Sequence, residues 1–260
     1  MTDELLEIAT RAAAVSAQFL VDGWAQRSVV STKSSQTDVV TQMDRGSEDL
    51  LVQTILSSRP DDAILGEESG SREGTSGVRW VIDPLDGTVN YLYGFPVWAV
   101  SVAALVDDVP VVGVVHAPSL HSVWRGVAGE FAELNGSRIH ASECTSLDQA
   151  LVATGFGYEA TARARQGRIV ADLLPRVRDI RRAGAAAVDM CFVAQGVFDA
   201  YFEGGTHLWD RAAAMVVCRE AGVRVGGPTG GPAADSMTVA ANTALYGPLC
   251  NLLTEVGVTP

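Results

Sequence analysis

The run Trp80-Val81-Ile82-Asp83-Pro84-Leu85-Asp86-Gly87-Thr88 constrains the fold more than any other part of this 260-residue chain. Trp80, Val81 and Ile82 suit pleated, buried positions, so they read as the end of a core strand. Pro84 has no N–H to give a neighbouring strand, and sheet pairing is expected to stop there. Two carboxylates are thereby set at a strand end, where open sheets place their ligand sites. Gly87 admits positive φ and close backbone approach, and Thr88 is fitted to open a helix whose first N–H groups favour an anion. Acids to hold cations beside amides to hold an anion describe one ligand class, a phosphate ester with divalent metal.

The rest of the chain supplies a scaffold for such a site. Leu5, Ile8, Ala12, Val15 and Phe19 recur at helical steps over residues 3–22. A second helix is expected from Thr41 past Leu50, Leu51 and Ile55 to Ser57, with Thr41 and Asp44 spaced like a capping box. Ser31 to Asp38 reads as a loop or short hairpin, Ala63-Ile64-Leu65 as a short strand, and 67–77 as a polar, glycine-rich loop. Val97–Val106, Val109–Ala117 and Ser122–Gly126 read as antiparallel strands, the first two joined by a turn at Asp107-Asp108. Beyond them, helical patterns at 161–175, 185–196 and 209–222 alternate with short strands near 150–154, 178–181, 199–202 and 238–241, an α/β texture. Two subdomains are expected, about 1–145 and 146–260, sharing an interface.

Composition narrows the function. With 47% hydrophobic and 19% charged residues the chain has the balance of a soluble globular protein. The net charge of −12 disfavours nonspecific attraction to nucleic acid or anionic membrane. No apolar run approaches a membrane span, and the acidic start Met1-Thr2-Asp3-Glu4 lacks the pattern of a signal peptide, so a cytoplasmic location is expected. Cys144, Cys191, Cys218 and Cys250 form no CxxC pair and read as buried free thiols, and the histidines are scattered, so a metal here should be a hard cation held by oxygen.

Two further acids stand out. Glu67 follows the short strand 63–65, and Asp210 lies where a glycine-rich loop enters a helix. Taken singly, Glu67 reads as a solvated loop acid and Asp210 as a helix cap. If Glu67, Asp83, Asp86 and Asp210 converge, like charges about 4 Å apart repel by roughly 4 kcal/mol per pair at an effective dielectric near 20. Only raised pKa values or bound cations sustain such a cluster.

Gly66-Glu67-Glu68-Ser69, Trp80 through Asn90, and Trp209-Asp210, in that order, resemble the signatures of the inositol monophosphatase family. Lys33-Ser34-Ser35, the Thr41–Asp44 segment, Gly184-Ala185-Ala186-Ala187 and Ala200-Tyr201-Phe202-Glu203 also fall in family order, so the resemblance covers nearly the whole chain. The segments 154–158 and 177–182 are most similar to its actinobacterial SuhB-type branch. The resemblance implies a layered α/β/α/β/α sandwich, a homodimer, and Mg²⁺-dependent hydrolysis of a phosphate monoester by metal-activated water. It implies that Glu67, Asp83 and the Leu85 carbonyl hold one Mg²⁺, that Asp83, Asp86 and Asp210 hold a second, and that Glu67 helps a looser third. It further implies that Gly87 and Thr88 donate to the phosphate and that the Thr88 hydroxyl, oriented by Asp44, positions the attacking water. Gly184, Ala185 and Ala186 would line the alcohol side together with Asp86 and Asp210, Glu203 would accept polyol hydroxyls, and Lys33 would sit in a loop near the metals. Inositol 1-phosphate is the expected substrate, with histidinol phosphate as the main rival and fructose 1,6-bisphosphate and 3′-phosphoadenosine 5′-phosphate as further alternatives on the same scaffold. Arg181 and Arg182 are candidates for a second phosphate. A non-enzymatic regulatory protein is the alternative of another class. Val89, where many members carry a second threonine, and Ala185, in place of a frequent serine or threonine, depart from the pattern.

Overall fold

The computed structural model describes residues 1–26, 29–32 and 39–258. In chain order these form α1 (Thr2–Gly23), β1 (Val29–Thr32), β2 (Val39–Thr41), α2 (Gln42–Ser58), β3 (Ala63–Gly66), β4 (Gly70–Arg72), β5 (Val78–Asp86) and α3 (Thr88–Tyr93). There follow β6 (Ala99–Val106), β7 (Val109–Ala117), β8 (Ser122–Val127), β9 (Phe131–Leu134), β10 (Ser137–Arg138), β11 (Leu151–Thr154) and α4 (Ala160–Leu173). The chain ends through β12 (Asp179–Arg181), α5 (Ala186–Ala194), β13 (Ala200–Glu203), α6 (Leu208–Glu220), β14 (Val223–Gly226), β15 (Thr238–Asn242) and α7 (Thr243–Glu255).

An eight-stranded sheet in the order β10-β9-β8-β7-β6-β5-β3-β4 is antiparallel except at β3–β5. A five-stranded sheet in the order β12-β11-β13-β15-β14 is parallel across β11, β12 and β13 and antiparallel beyond. The apolar faces of α1 and α2 pack on the outside of the large sheet around Trp80, Ile82, Trp98 and Val102. Between the sheets lie α5 and α6, in a core that includes Val81, Ala103, Val115, Met190 and Tyr201. α4 and α7 cover the far side of the small sheet around Val152, Val239 and Leu249. The molecule is thus an α/β/α/β/α sandwich.

α6 approaches the large sheet closely along the face that carries Ala213 and Val217, four residues apart, because the strands beneath carry Gly113 and Gly126, where an added Cβ would run into the Ala213 and Val217 backbone. Asp107 and Asp108, at φ 49° and 63°, make the tight turn between β6 and β7. Several boundaries differ from the sequence reading. β5 does not end at Pro84: it pairs with β6 as far as Asp86, through a bulge between Asp83 and Asp86 that takes the donorless proline out of the ladder. The 67–77 segment is not all loop, since Gly70–Arg72 forms an exposed edge strand on β3. α7 and β14 carry no strong sequence signal; Gly247 and Pro248 interrupt the apolar period of the helix. Cys191, Cys218 and Cys250 are buried free thiols, and Cys144 is half-buried. No helix among the described residues is long and apolar enough to cross a membrane.

Candidate active site

Asp83 and Asp86 are an odd number of residues apart, so a regular strand would send them to opposite faces of the sheet. The bulge in β5 shifts the register between them, and both line the same cleft of about 730 Å³. β3 runs parallel to β5 with Gly66 opposite Ile82, so the two strands end side by side and Glu67 emerges next to Asp83. Asp210 reaches the same cleft from the first turn of α6. Its carboxylate accepts the His207 N–H at 2.6 Å, the reciprocal half of a capping box, so it takes part in the helix cap and faces the cleft as well.

Each carboxyl has a local tie. Asp83 Oδ1 accepts the Leu85 N–H at 2.9 Å. Asp86 accepts the N–H groups of Ala186 at 3.0 Å and Ala187 at 2.8 Å, at the start of α5. Burial and the neighbouring charges of Glu67, Asp86 and Asp210 push the Asp83 carboxyl well above its ordinary range, and Glu67 lies close enough to share a hydrogen bond with it. Burial lifts Asp86 to about 7 despite the Ala186 and Ala187 amides. Burial, then Glu67 and Asp86, raises Asp210. Among the described residues, no three His, Cys, Asp or Glu side chains close around one point as a finished metal site. The donor chemistry nevertheless suits a hard divalent cation: the acids are oxygen donors in a low-dielectric wall, and they oppose one another's ionisation.

Thr88 lies at the cleft margin, its hydroxyl 3.0 Å from Asp44 Oδ1 and 3.1 Å from the Leu85 carbonyl oxygen. Asp44 itself is 1% exposed in the first turn of α2 and lies behind the cleft wall. Gly87, at φ 87°, has no room for a side chain: a Cβ would meet the Val97 carbonyl oxygen at 2.9 Å and Ala185 Cβ at 3.1 Å. Leu85 and Gly87 line the cleft beside Thr88.

On the opposite side, Gly184, Ala186 and Glu203 line the cleft, whereas Ala185 is buried against Gly87 and forms no part of its surface. Tyr201 donates to Glu203 at 2.8 Å. Burial raises the Glu203 carboxyl, opposed by Tyr201 and Arg182. The two arginines separate: Arg182 faces the cleft, while Arg181 turns outward to Asp179 at 2.6 Å. Lys33 lies outside the described residues, as does the side chain of Thr41.

Four contributors escaped the sequence reading. Asn90, within α3, ties that helix to the segment before β6 and to the loop before α5, donating to the carbonyls of Val97 at 2.6 Å and Ala183 at 2.8 Å. Glu48 holds the turn after Glu67 through backbone amides. Asp189 is buried in α5 close enough to Glu203 and Asp86 to feel both charges. Gln166 of α4 accepts the Gly157 N–H at 3.0 Å and closes the far end of the cleft. Asn90, following Thr88 in the recognised motif, was the one with a usable signal.

A profile of the inositol monophosphatase family matches residues 1–257. The inositol-1-monophosphatase SuhB of Mycobacterium tuberculosis is 43% identical over 205 residues, covering 75% of this chain and 71% of that protein. The Nus factor SuhB of Escherichia coli is 38% identical over 230 residues, covering 87% of this chain and 86% of that protein. Among solved structures, the extragenic suppressor protein suhB from Bartonella henselae superposes with a TM-score of 0.90 at 30% identity, over 97% of this chain and 99% of that one. The chain belongs to the inositol monophosphatase family, a family of phosphatases.

Proposed function

We propose that this member of the family is a Mg²⁺-dependent phosphomonoesterase whose preferred substrate is inositol 1-phosphate. The observation that carries the reading is the meeting of Glu67, Asp83, Asp86 and Asp210, from two parallel strand ends and a helix start, in one cleft with Thr88 and Glu203. Glu67, Asp83, the Leu85 carbonyl, Asp86 and Asp210 would hold two ions, with Glu67 also serving a looser third. Bound Mg²⁺ would supply Lewis-acid stabilisation of phosphoryl and leaving oxygens and make water a better nucleophile.

The chain's own residues supply the alignment. The Thr88 hydroxyl, donating to Asp44, keeps its lone pairs free to accept a hydrogen bond from the attacking water. The amides of Gly87 and Thr88, at the strand-to-helix turn, suit the equatorial phosphoryl oxygens. Glu203, steadied by Tyr201, accepts hydroxyl hydrogen bonds from a polyol, and Gly184 and Ala186 leave room for its ring. Support for inositol 1-phosphate over the alternatives comes from Glu203 and from the M. tuberculosis relative's name. Arg182 on the same wall favours fructose 1,6-bisphosphate as the strongest alternative. We further propose that the protein works as a cytoplasmic homodimer, and its charge of −12 argues against direct contact with nucleic acid.

A regulatory reading draws on the E. coli relative's name, Nus factor SuhB. Phosphate release from inositol 1-phosphate, fructose 1,6-bisphosphate, histidinol phosphate and 3′-phosphoadenosine 5′-phosphate, with and without Mg²⁺, separates these readings. Mg²⁺-dependent turnover led by inositol 1-phosphate is expected. Silence across the panel would overturn the enzymatic reading and favour the regulatory one.

A further inference from the structure

One helix face backs the acid-bearing wall of the cleft formed by the ends of β3 and β5. Asp44, Ser47 and Glu48 stand at i, i+3 and i+4 on α2, so they share a face, and all are buried, at 1%, 0% and 2% exposure. Asp44 takes the Thr88 hydroxyl. Ser47 donates to the Pro84 carbonyl at 2.7 Å, beside the bulge that redirects Asp86. Glu48 uses both carboxylate oxygens on the turn after β3: Oε2 accepts the Glu68 N–H at 2.9 Å and Oε1 the Ser69 N–H at 2.7 Å. Gly66 makes this seat possible, since a Cβ there would lie 2.7 Å from the Glu48 carboxyl carbon. A buried carboxylate spent on two successive amides fixes the backbone on the C-terminal side of Glu67, and the parallel pairing of β3 with β5 fixes it on the other.

We propose that Glu48 is a positioning residue for the cation site: by clamping the 66–69 turn it presents the Glu67 carboxylate to Asp83, and so sets divalent-cation affinity. The inference rests on the metal-dependent reading given above. Glu48 itself is behind the cleft wall and touches no reacting group. Partners of this kind typically change metal affinity by about 10- to 100-fold when removed.

Glu48→Gln preserves side-chain volume but leaves one acceptor where two amides need one each. Titration with MnCl₂, followed by electron paramagnetic resonance or calorimetry, is expected to show binding weakened by about tenfold or more in E48Q. Hydrogen exchange without metal is expected to accelerate at the Glu68 and Ser69 amides while those of Ala186 and Ala187, held by Asp86, keep their protection. If E48Q does not fold, Gly66→Ala, which pushes the same carboxylate from the other side, is expected to weaken Mn²⁺ in the same way. A folded E48Q, or in its place G66A, that binds Mn²⁺ as tightly as wild type overturns the inference. A wild-type protein that binds no Mn²⁺ overturns the metal reading and this inference with it.

Discussion

Asp86 Oδ2 accepts the Ala187 N–H at 2.8 Å across 101 residues of sequence, and this bond joins the end of β5 to the start of α5. It orients the acid and also partly relieves its burial, yet Asp86 is still pushed up to about 7. A carboxylate kept there is costly to the fold, as expected of a group retained for function. Asp86→Asn removes the charge and keeps one acceptor. Mg²⁺-dependent phosphate release is expected to fall at least ~100-fold, since even outer-shell partners of metals cost 10- to 100-fold. The melting temperature near neutral pH should hold or rise. Retained turnover with a lowered melting temperature would contradict both halves.

Thr88 has a single hydroxyl proton and two acceptors in reach, Asp44 Oδ1 at 3.0 Å and the Leu85 carbonyl at 3.1 Å. Its orientation is therefore set by Asp44 from behind the cleft and by the end of β5 beside it. Thr88→Ser should retain most activity. Thr88→Val keeps the shape but loses the oxygen, and its kcat at saturating Mg²⁺ is expected to fall by roughly 10²-fold, the low end for a positioned proton-handling group. An equal loss in both variants would assign the effect to packing instead.

The contrast between Asp83 and Glu48 shows which parts of the site are legible in a linear chain. Asp83 and Asp86 sit in a local pattern of apolar strand, acids and glycine, so their delivery to a sheet end follows from neighbours in sequence. Even there the local rule about Pro84 failed, because a bulge absorbs one residue and lets β5 run on to Asp86. Glu48 and Asp189 lie in helices, where a lone acid in the sequence looks like a solvated position. Their partners are 20 residues away for Glu48 and across the sheet interface for Asp189, a separation that periodicity does not encode. Arg181 ends the short edge strand β12 and Arg182 follows it, and only the fold decides that the second faces the cleft.

Asp62 offers a test of the scaffold away from the cleft. It is 1% exposed and accepts from Arg59 Nε at 2.6 Å, Ser76 at 2.5 Å and the Trp80 indole at 2.8 Å. Burial raises its carboxyl, but these donors outweigh burial and hold it below its ordinary value of 3.8. A depressed folded value gives stability that is present above the unfolded value and lost as pH falls through the folded one. Asp62→Asn should cost about 1.5–3 kcal/mol at neutral pH, the worth of hydrogen bonds to a charged group. Urea melts at about pH 7 and about pH 3 are expected to show that difference shrinking in acid. An undiminished difference would mean that the charge plays no part.

Asp189 has the opposite sign. It is fully buried in α5, and neither carboxyl oxygen has a hydrogen-bond partner of normal geometry. Burial, reinforced by Glu203 and Asp86, pushes it from 3.8 to about 8 against the weaker pull of the Gly184 amide and Arg182. Between those values the folded protein keeps a proton that the unfolded chain releases, so this group's contribution to stability falls as pH rises from about 4 to about 8. The slope cannot exceed about 1.4 kcal/mol per pH unit. Asp189→Asn carries no such proton and occupies the same volume. In metal-free buffer the stability of D189N relative to wild type is therefore expected to be smallest near pH 4.5 and to grow steadily towards pH 7.5, as read from paired denaturant melts. A difference that stays flat with pH would show that Asp189 ionises in the fold as it does in the unfolded chain.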